Sequence, residues 1–406
     1  VRTSVVASDS VVLRDAVVVE MEEMYANWNY PTNILVGPGR VNEIGTLCAS
    51  QGIKAPLVVT DPGIAMLPMS GQLLAACEAA GLNSVMFSNI KANPTGQNVN
   101  DGVAAFLGGH HDAVIALGGG SALDAGKAIA LIAQQSCSLW DLEDIGDNHQ
   151  NADPQKIAPI VAVPTTAGTG SEVGRAGLIV NEAERRKVII FHPQMMPMSV
   201  ILDPELTVGL PPQMTAATGM DALSHSLEAW CSPGFHPMAE GIALEGIRLV
   251  YDNIERVVTD GQDLKARLNM LVASMMGATA FQRGLGAMHA LAHPLGAVYD
   301  AHHGLLNAVL MPYVLVANGA VINARIAKLA GYIGLTPSFD AFLDWVLALR
   351  QKIGIPHTLA EFIVRDAIFD RIGEMAVADP SAGGNPILFS ASEYQRVLLN
   401  AFEGRL

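Results

Sequence analysis

The sequence predicts an α/β, Rossmann-like nucleotide-binding domain followed by an all-α domain that holds a metal. Three observations predict it. Short apolar runs alternate with helical patterns through the first half of the chain. Strand signals then fade into long helix-forming stretches. Four of the eleven histidines crowd into the apolar, mostly helical stretch "HALAHPLGAVYDAHHG", residues 289–304.

Composition sets the limits. A chain of 406 residues, half of them hydrophobic, suits two domains, or one large α/β domain with a helical partner. A net charge of −15 with only 24 lysines and arginines leaves no basic stripe for a phosphate backbone, so nucleic acid is not expected as a partner. Cys48, Cys77, Cys137 and Cys231 are far apart and form no CxxC pair. That predicts neither a disulfide framework nor a thiolate metal site, and it fits a reducing cytoplasm. No apolar run approaches the roughly 18 residues of a membrane span. The best, "AVLMPYVLVA", is broken by Pro312. Residues 1–27 are interrupted by Arg2, Asp9, Arg14 and Asp15 and show no signal-peptide pattern, so they read as an irregular extension or an added edge strand.

The elements follow in order. "APLVVTD" (55–61), "NSVMFSN" (83–89), "HDAVIALGGG" (111–120) and "IAPIVAVPTT" (157–166) are strands ending in Gly, Asp, Asn or Thr. "SGQLLAACEAAG" and "GQNVNDGVAAFLGG" lie between them as helices. Continuous apolar strands alternating with helices predict a parallel sheet covered on both faces. After "SVILDPELTVGLPP" (199–212) come "PQMTAATGMDALSHSLEAW", "MAEGIALEGIRLVYDNIERVV", "LKARLNMLVASMMGATAF" and "FDAFLDWVLALRQKIG". Pro204, Pro211 and Pro212 punctuate the change, placing a boundary near residue 205 between domains 1–205 and 206–406.

Two loops read as nucleotide sites. In "HDAVIALGGGSALDAGKAIALIA" a buried strand leads through Gly118, Gly119 and Gly120 into a helix that opens with Ser121 and carries Asp124. Glycines admit a phosphate close to the backbone, and free amides at a helix N-terminus attract its charge. "VAVPTTAGTGSEVG" (161–174) offers Thr165, Thr166, Thr169 and Ser171 after a second buried strand. Asp61, ending "PLVVTD", is placed to accept hydrogen bonds from ribose hydroxyls and to repel a 2′-phosphate, favouring NAD over NADP.

The metal reading rests on spacing. Asp221 and His225 are four apart on a predicted helix and share a face; His289 and His293 repeat the interval, and His302 and His303 follow in a turn. One carboxylate with several imidazoles suits iron or zinc, and spacing alone takes His289 and His293 alike as ligands. His110, His111, His149, His192, His236 and His357 lack such company and are read as ordinary core or surface residues. A nucleotide beside a Lewis-acidic metal suggests hydride transfer, with lyase and hydrolase chemistry left open.

The motifs "WNYPTNILVGPGR", "NPTGQNV", "GGGSALDAGKA", "PTTAGTGSEV", "ILDPELT", "GMDALSHSLEAW" and "GLGAMHALAHPLGAVYDAHHGLLNAVLMP" resemble those of the iron-containing (group III) alcohol dehydrogenases, from residue 28 to about residue 330. The resemblance implies the two-domain fold shared with dehydroquinate synthase. It implies metal ligands at Asp221, His225, His289 and His303, and makes His293 a proton-handling residue between nicotinamide and substrate. It implies that Asp61 reads the adenosine ribose, that Gly118 to Ser121 with Asp124 hold the pyrophosphate, and that Thr165, Thr166 and Thr169 line the dinucleotide, with Asn93 and Lys187 as further contacts. The implied activity is an NAD(H)-dependent alcohol dehydrogenase or aldehyde reductase. Its metal is Fe(II), with zinc as the other candidate; its substrate is a small alcohol, diol or hydroxy acid. A cytoplasmic homodimer or larger assembly, with no nucleic-acid or membrane partner, goes with it. The alternative is a non-redox NAD- and metal-binding lyase related to dehydroquinate synthase. "AFQRGLGAMH" and "ADPSAGGNPI" depart from the family pattern and are expected to border the substrate pocket.

Overall fold

Apolar runs of four to six residues are too short for stable helices and bury both faces only inside a covered sheet. A computed structural model describes residues 17–18, 32–184 and 186–406. Its strands are β1 (Val17–Val18), β2 (Asn33–Val36), β3 (Pro56–Val59), β4 (Val85–Phe87), β5 (Ala113–Gly118), β6 (Ile160–Pro164), β7 (Ala176–Asn181), β8 (Arg186–Phe191), β9 (Ser199–Leu202) and β10 (Ile387–Leu388). Six form one parallel sheet in the order β2-β9-β6-β5-β3-β4. Every residue of β3, β5, β6 and β9 is buried. From β3 the chain steps outward to β4, then returns past β3 to β5 and builds the other way through β6 to β9. The strand order therefore reverses between β3 and β5, and the crevice at their carboxyl ends is where such sheets bind ligands.

The strands predicted from sequence all form, but one pair was not foreseen. β7 and β8 make an antiparallel hairpin outside the main sheet. Their alternating burial marks a ribbon with one face packed, against the helix Gly120–Ile132, where Gly177 meets the Asp124 backbone. This hairpin carries Lys187.

Helices build the second half: Pro212–Cys231, Pro237–Thr259, Leu264–Ala280, Ala287–Tyr299, His303–Tyr332, Phe339–Lys352 and Ala391–Glu403 pack around one core. The one described strand here is β10, which pairs with β1, so the expected edge strand joins the tail and not the main sheet. The rest of residues 1–31 lies outside the described residues.

The reading of Pro312 as a break is corrected. The helix His303–Tyr332 runs 30 residues straight through it. A proline forfeits one backbone hydrogen bond inside a helix, and here residues 306–315 are buried throughout, so packing on all sides holds the turn together. Among the described residues this is the helix long and apolar enough to cross a membrane, yet 67% of its most apolar window is buried inside the protein, as a core helix would be.

Candidate active site

Three helices bring the predicted ligands together. Asp221 and His225 stand one turn apart on Pro212–Cys231, His289 lies in the first turn of Ala287–Tyr299, and His303 opens His303–Tyr332. One ligand atom from each falls within 4.8 Å of the others, and three of the four residues are buried. The rings of His225 and His289 stack at 4.7 Å.

A second layer sets which nitrogen faces the cluster. His225 Nδ1 lies 3.3 Å from the Gly168 carbonyl, and His289 Nδ1 lies 2.6 Å from the Glu228 carboxylate. With Nδ1 donating in each case, Nε2 is left as a lone-pair donor towards the centre. The Asn307 side-chain nitrogen sits 2.9 Å from Asp221 Oδ1, 3.1 Å from His289 Nε2 and 3.2 Å from His303 Nε2. Its Oδ1 is buried with no hydrogen-bond partner.

The electrostatics suit a cation. Burial alone would raise the Asp221 carboxyl, but His225, His303 and His289, with the Asn307 amide, hold it down to about 2. Burial pushes the His225 imidazole down to about 4 and takes His303 well below its ordinary value. Burial acts on His289 in the same direction, but the Glu228 carboxylate outweighs it and the net shift is upward. A buried carboxylate beside the His225 and His303 imidazoles, both kept neutral by burial, with His289 turned to them by its Glu228 contact, fits a divalent first-row metal.

His293 is one turn beyond His289 but outside the four-ligand group. Its ring stacks on His303 at 5.3 Å, and its Nδ1 lies 2.9 Å from Asp379 Oδ2. Asp379 is the second residue of the "ADPSAGGNPI" segment, and Asn385 from the same segment accepts from the Ala287 amide at 3.2 Å. The two departures from the family pattern also meet: a Cβ on Gly284 would lie 3.2 Å from the Gly384 backbone. Arg283 is fully engaged, donating to the Ala229 and Trp230 carbonyls at 2.8 Å and pairing with Glu240 at 2.7 Å. It closes the C-terminal end of the helix bearing Asp221 and His225.

The cofactor residues gather at the carboxyl edge of β3, β5 and β6. Asp61 caps a short helix by accepting from the Ile64 amide at 2.9 Å, and its other oxygen is 3.6 Å from where a Gly118 Cβ would stand. A Cβ on Gly119 would lie 3.4 Å from Thr166, and one on Gly120 2.6 Å from Thr169 Cγ2, so the two loops face each other and leave no room for a side chain at Gly120. Gly118 has φ +145°, a conformation that favours glycine. The helix Gly120–Ile132 starts with no side-chain cap, leaving its first amides for an anion, and the Thr60 and Thr165 hydroxyls nearby are buried and unpartnered. These features fit a dinucleotide.

Other predicted contacts have roles within the protein. Ser121 Oγ donates to the Ala92 carbonyl. Asp124 accepts from Ser171 Oγ at 2.5 Å and the Leu178 amide at 3.0 Å, so it braces the threonine loop and the hairpin. Asn93 reaches the helical region, donating to Asp300 at 2.5 Å. Lys187 is lowered by burial, against the pull of Asp124 and Asp300, and its Nζ is 3.8 Å from a Cβ built on Gly296. His192 and His236, read as ordinary residues, cap helices through Nδ1. Sequence reasoning missed Glu228, Asn307 and Asp379. Glu228 alone had a signal, seven residues after Asp221 and three after His225 on the same helix face.

Comparison with known proteins places this chain and its fold in a class. The family model described as iron-containing alcohol dehydrogenase matches residues 31–204, and that of the C-terminal part of the Fe-containing alcohol dehydrogenase family matches residues 215–402. The chain belongs to the iron-containing alcohol dehydrogenase family, and its activity class is that of an alcohol oxidoreductase. More particularly, it is 39% identical over 380 residues to a 4-hydroxybutyrate dehydrogenase of Cupriavidus necator, covering 91% of this chain and 98% of that one. It is 34% identical to a 1,3-propanediol oxidoreductase of known crystal structure, with a TM-score of 0.88 over 93% of this chain and all of that one. A sulfoacetaldehyde reductase from Bifidobacterium kashiwanohense, solved in complex with NAD⁺, is 28% identical with a TM-score of 0.83 over 93% of this chain and 99% of that one.

Proposed function

We propose that this protein is an NAD(H)- and metal-dependent alcohol dehydrogenase, working in reverse as an aldehyde reductase, on a small alcohol, diol or hydroxy acid. One observation carries the reading. His225 of the four-residue cluster touches Gly168 at 3.3 Å, within the threonine loop that faces the glycine cradle. A metal centre and a dinucleotide cradle therefore share one wall.

In this reading Asp221, His225, His289 and His303 hold the metal, Fe(II) with zinc as the alternative, on residues 206–406. Residues 1–205 hold NAD: Asp61 takes the adenosine ribose, Gly118 to Ser121 cradle the pyrophosphate with Asp124 bracing Ser171, Thr165, Thr166 and Thr169 line the groove, and Asn93 and Lys187 close it. The bound metal supplies a Lewis acid for the alcohol or carbonyl oxygen, and the nicotinamide supplies the acceptor or donor of hydride. His293 does the proton work. With Nδ1 held by Asp379, its Nε2 accepts a proton during alcohol oxidation and returns one during aldehyde reduction, and its side chain, 13% exposed, passes it to solvent. The names of the relatives, 4-hydroxybutyrate and 1,3-propanediol enzymes, support a short hydroxyl-bearing chain. A homodimer or larger assembly is part of the proposal, and light scattering on the purified protein tests it.

The test is to purify the protein without chelator, measure bound metal by plasma mass spectrometry, and follow absorbance at 340 nm with NAD⁺ and a panel of alcohols, diols and hydroxy acids. Near-stoichiometric metal with net NADH formation is expected. Metal without NADH across the panel, with NAD remaining catalytic in a non-redox conversion, would turn the assignment to the lyase.

A further inference from the structure

Glu228 is not among the four ligands, yet its carboxylate is tied by three contacts. It is 5% exposed. Oε2 accepts from the Gly286 amide at 2.8 Å and lies 2.6 Å from His289 Nδ1; Oε1 accepts from the Met288 amide at 2.7 Å. The helix Ala287–Tyr299 starts at Gly286 with no side-chain cap of its own. The first amides of a helix need acceptors, and here a carboxylate from another helix supplies them. A Cβ on Gly286 would stand 3.0 Å from Glu228 Oε1, so the glycine is what lets the carboxylate lie against the backbone.

We infer that Glu228 is a positioning residue for the metal centre: it fixes the tautomer and ring orientation of His289 while tying that histidine's helix to the helix bearing Asp221 and His225. The inference rests on the metal reading above, with one arm independent of it. Glu228 lies one turn beyond His225, on the helix face shared with Asp221. One helix thus supplies two ligands directly and orients a third through its next turn. The two backbone bonds hold the carboxylate still; the third bond leaves His289 with its proton on Nδ1 and a bare Nε2 towards the cluster. A carboxylate so placed behind a ligating imidazole typically governs metal affinity by 10- to 100-fold.

The test uses the full chain with Glu228→Gln and Glu228→Asp. Zinc affinity is measured by competition with a chromophoric chelator, folding of the metal-free protein by thermal melting, and the His289 tautomer by side-chain ¹⁵N NMR of metal-free protein at pH 8, the signals assigned with His289→Gln. Glu228→Gln is expected to weaken zinc roughly 10- to 100-fold and to alter the His289 nitrogen shifts. Glu228→Asp, which keeps the charge, is expected to recover part of both. Zinc affinity within twofold of the parent, a loss accounted for by melting alone, or unchanged nitrogen shifts would overturn the inference. A parent protein that binds no zinc or iron would sink the metal reading instead, while the metal-free NMR comparison would still decide whether Glu228 governs His289.

Discussion

The two walls of the cleft are built from different material. On the helical side, the proposed site is made of buried or mostly buried titratable side chains, each held by a partner far away in sequence: His225 by Gly168, His289 by Glu228, His293 by Asp379. On the sheet side it sits in the backbone, in glycines that leave room and helix amides that stay free. The difference follows from the ligands. A small divalent cation needs several lone pairs converging within a few ångströms, which only side chains from several elements supply. A phosphate needs several N–H groups at close approach, which one glycine turn at a helix start supplies alone. Disturbance should therefore break the helical wall outright and only loosen the sheet wall.

The largest expected effect is at the cluster. His225→Ala should abolish both metal retention and turnover, read by metal analysis and NADH formation; a mutant reducing aldehydes at the parent rate without metal would end the proposal. His293→Ala should lower kcat by roughly 10²- to 10⁴-fold with metal content unchanged, the range for a lost proton-transfer group. Asp379→Asn should cost less, roughly 10- to 100-fold, because the ring remains and only its orientation is released.

Glu172 tests whether the sheet wall is free of such dependence. This residue is 1% exposed in the threonine loop, and burial raises its carboxyl to about 7 against the countering pull of its backbone hydrogen bond and Lys127. The folded pKa lies above the unfolded value, so the contribution to stability is fully present below about 4.5 and is lost as pH rises through about 7. Glu172→Gln should therefore gain stability relative to the parent between those limits and stay level above, by about 3 kcal/mol in total at 1.4 kcal/mol per unit. Denaturant melts across the range measure it, and a pH-independent difference would show that the burial effect is absent. The smallest effect is expected at the cradle. Gly120→Ala sets a methyl 2.6 Å from Thr169 Cγ2, an overpacking of roughly 1–3 kcal/mol. NAD should bind roughly 10- to 100-fold more weakly by calorimetry, with metal content unchanged.

The same contrast decided how much of the molecule was legible in advance. The cradle was readable because its parts are contiguous: strand, three glycines and helix start within one stretch, and Thr165, Thr166 and Thr169 within another. The hairpin carrying Lys187 was not read as strands. Its residues alternate in burial over a ribbon that packs on a helix 50 residues away, and no local signal announces that partner. Pro312 misled for a related reason, since local propensity forbids what dense packing on both sides permits.

From sequence alone came the alternation of strands and helices, the glycine and threonine loops at the carboxyl ends of two strands, and the pairing of Asp221 with His225, because period and turn chemistry are local properties of the chain. Which of His289 and His293 joins the cluster was a different kind of question. The two share a spacing, a helix and a face, and spacing took both as ligands. The family resemblance set His289 apart from His293 without a physical reason; tertiary structure supplies one through carboxylates 61 and 86 residues distant, Glu228 behind one ring and Asp379 behind the other. An imidazole's role depends on what its second nitrogen meets, and only the folded chain brings that partner within reach.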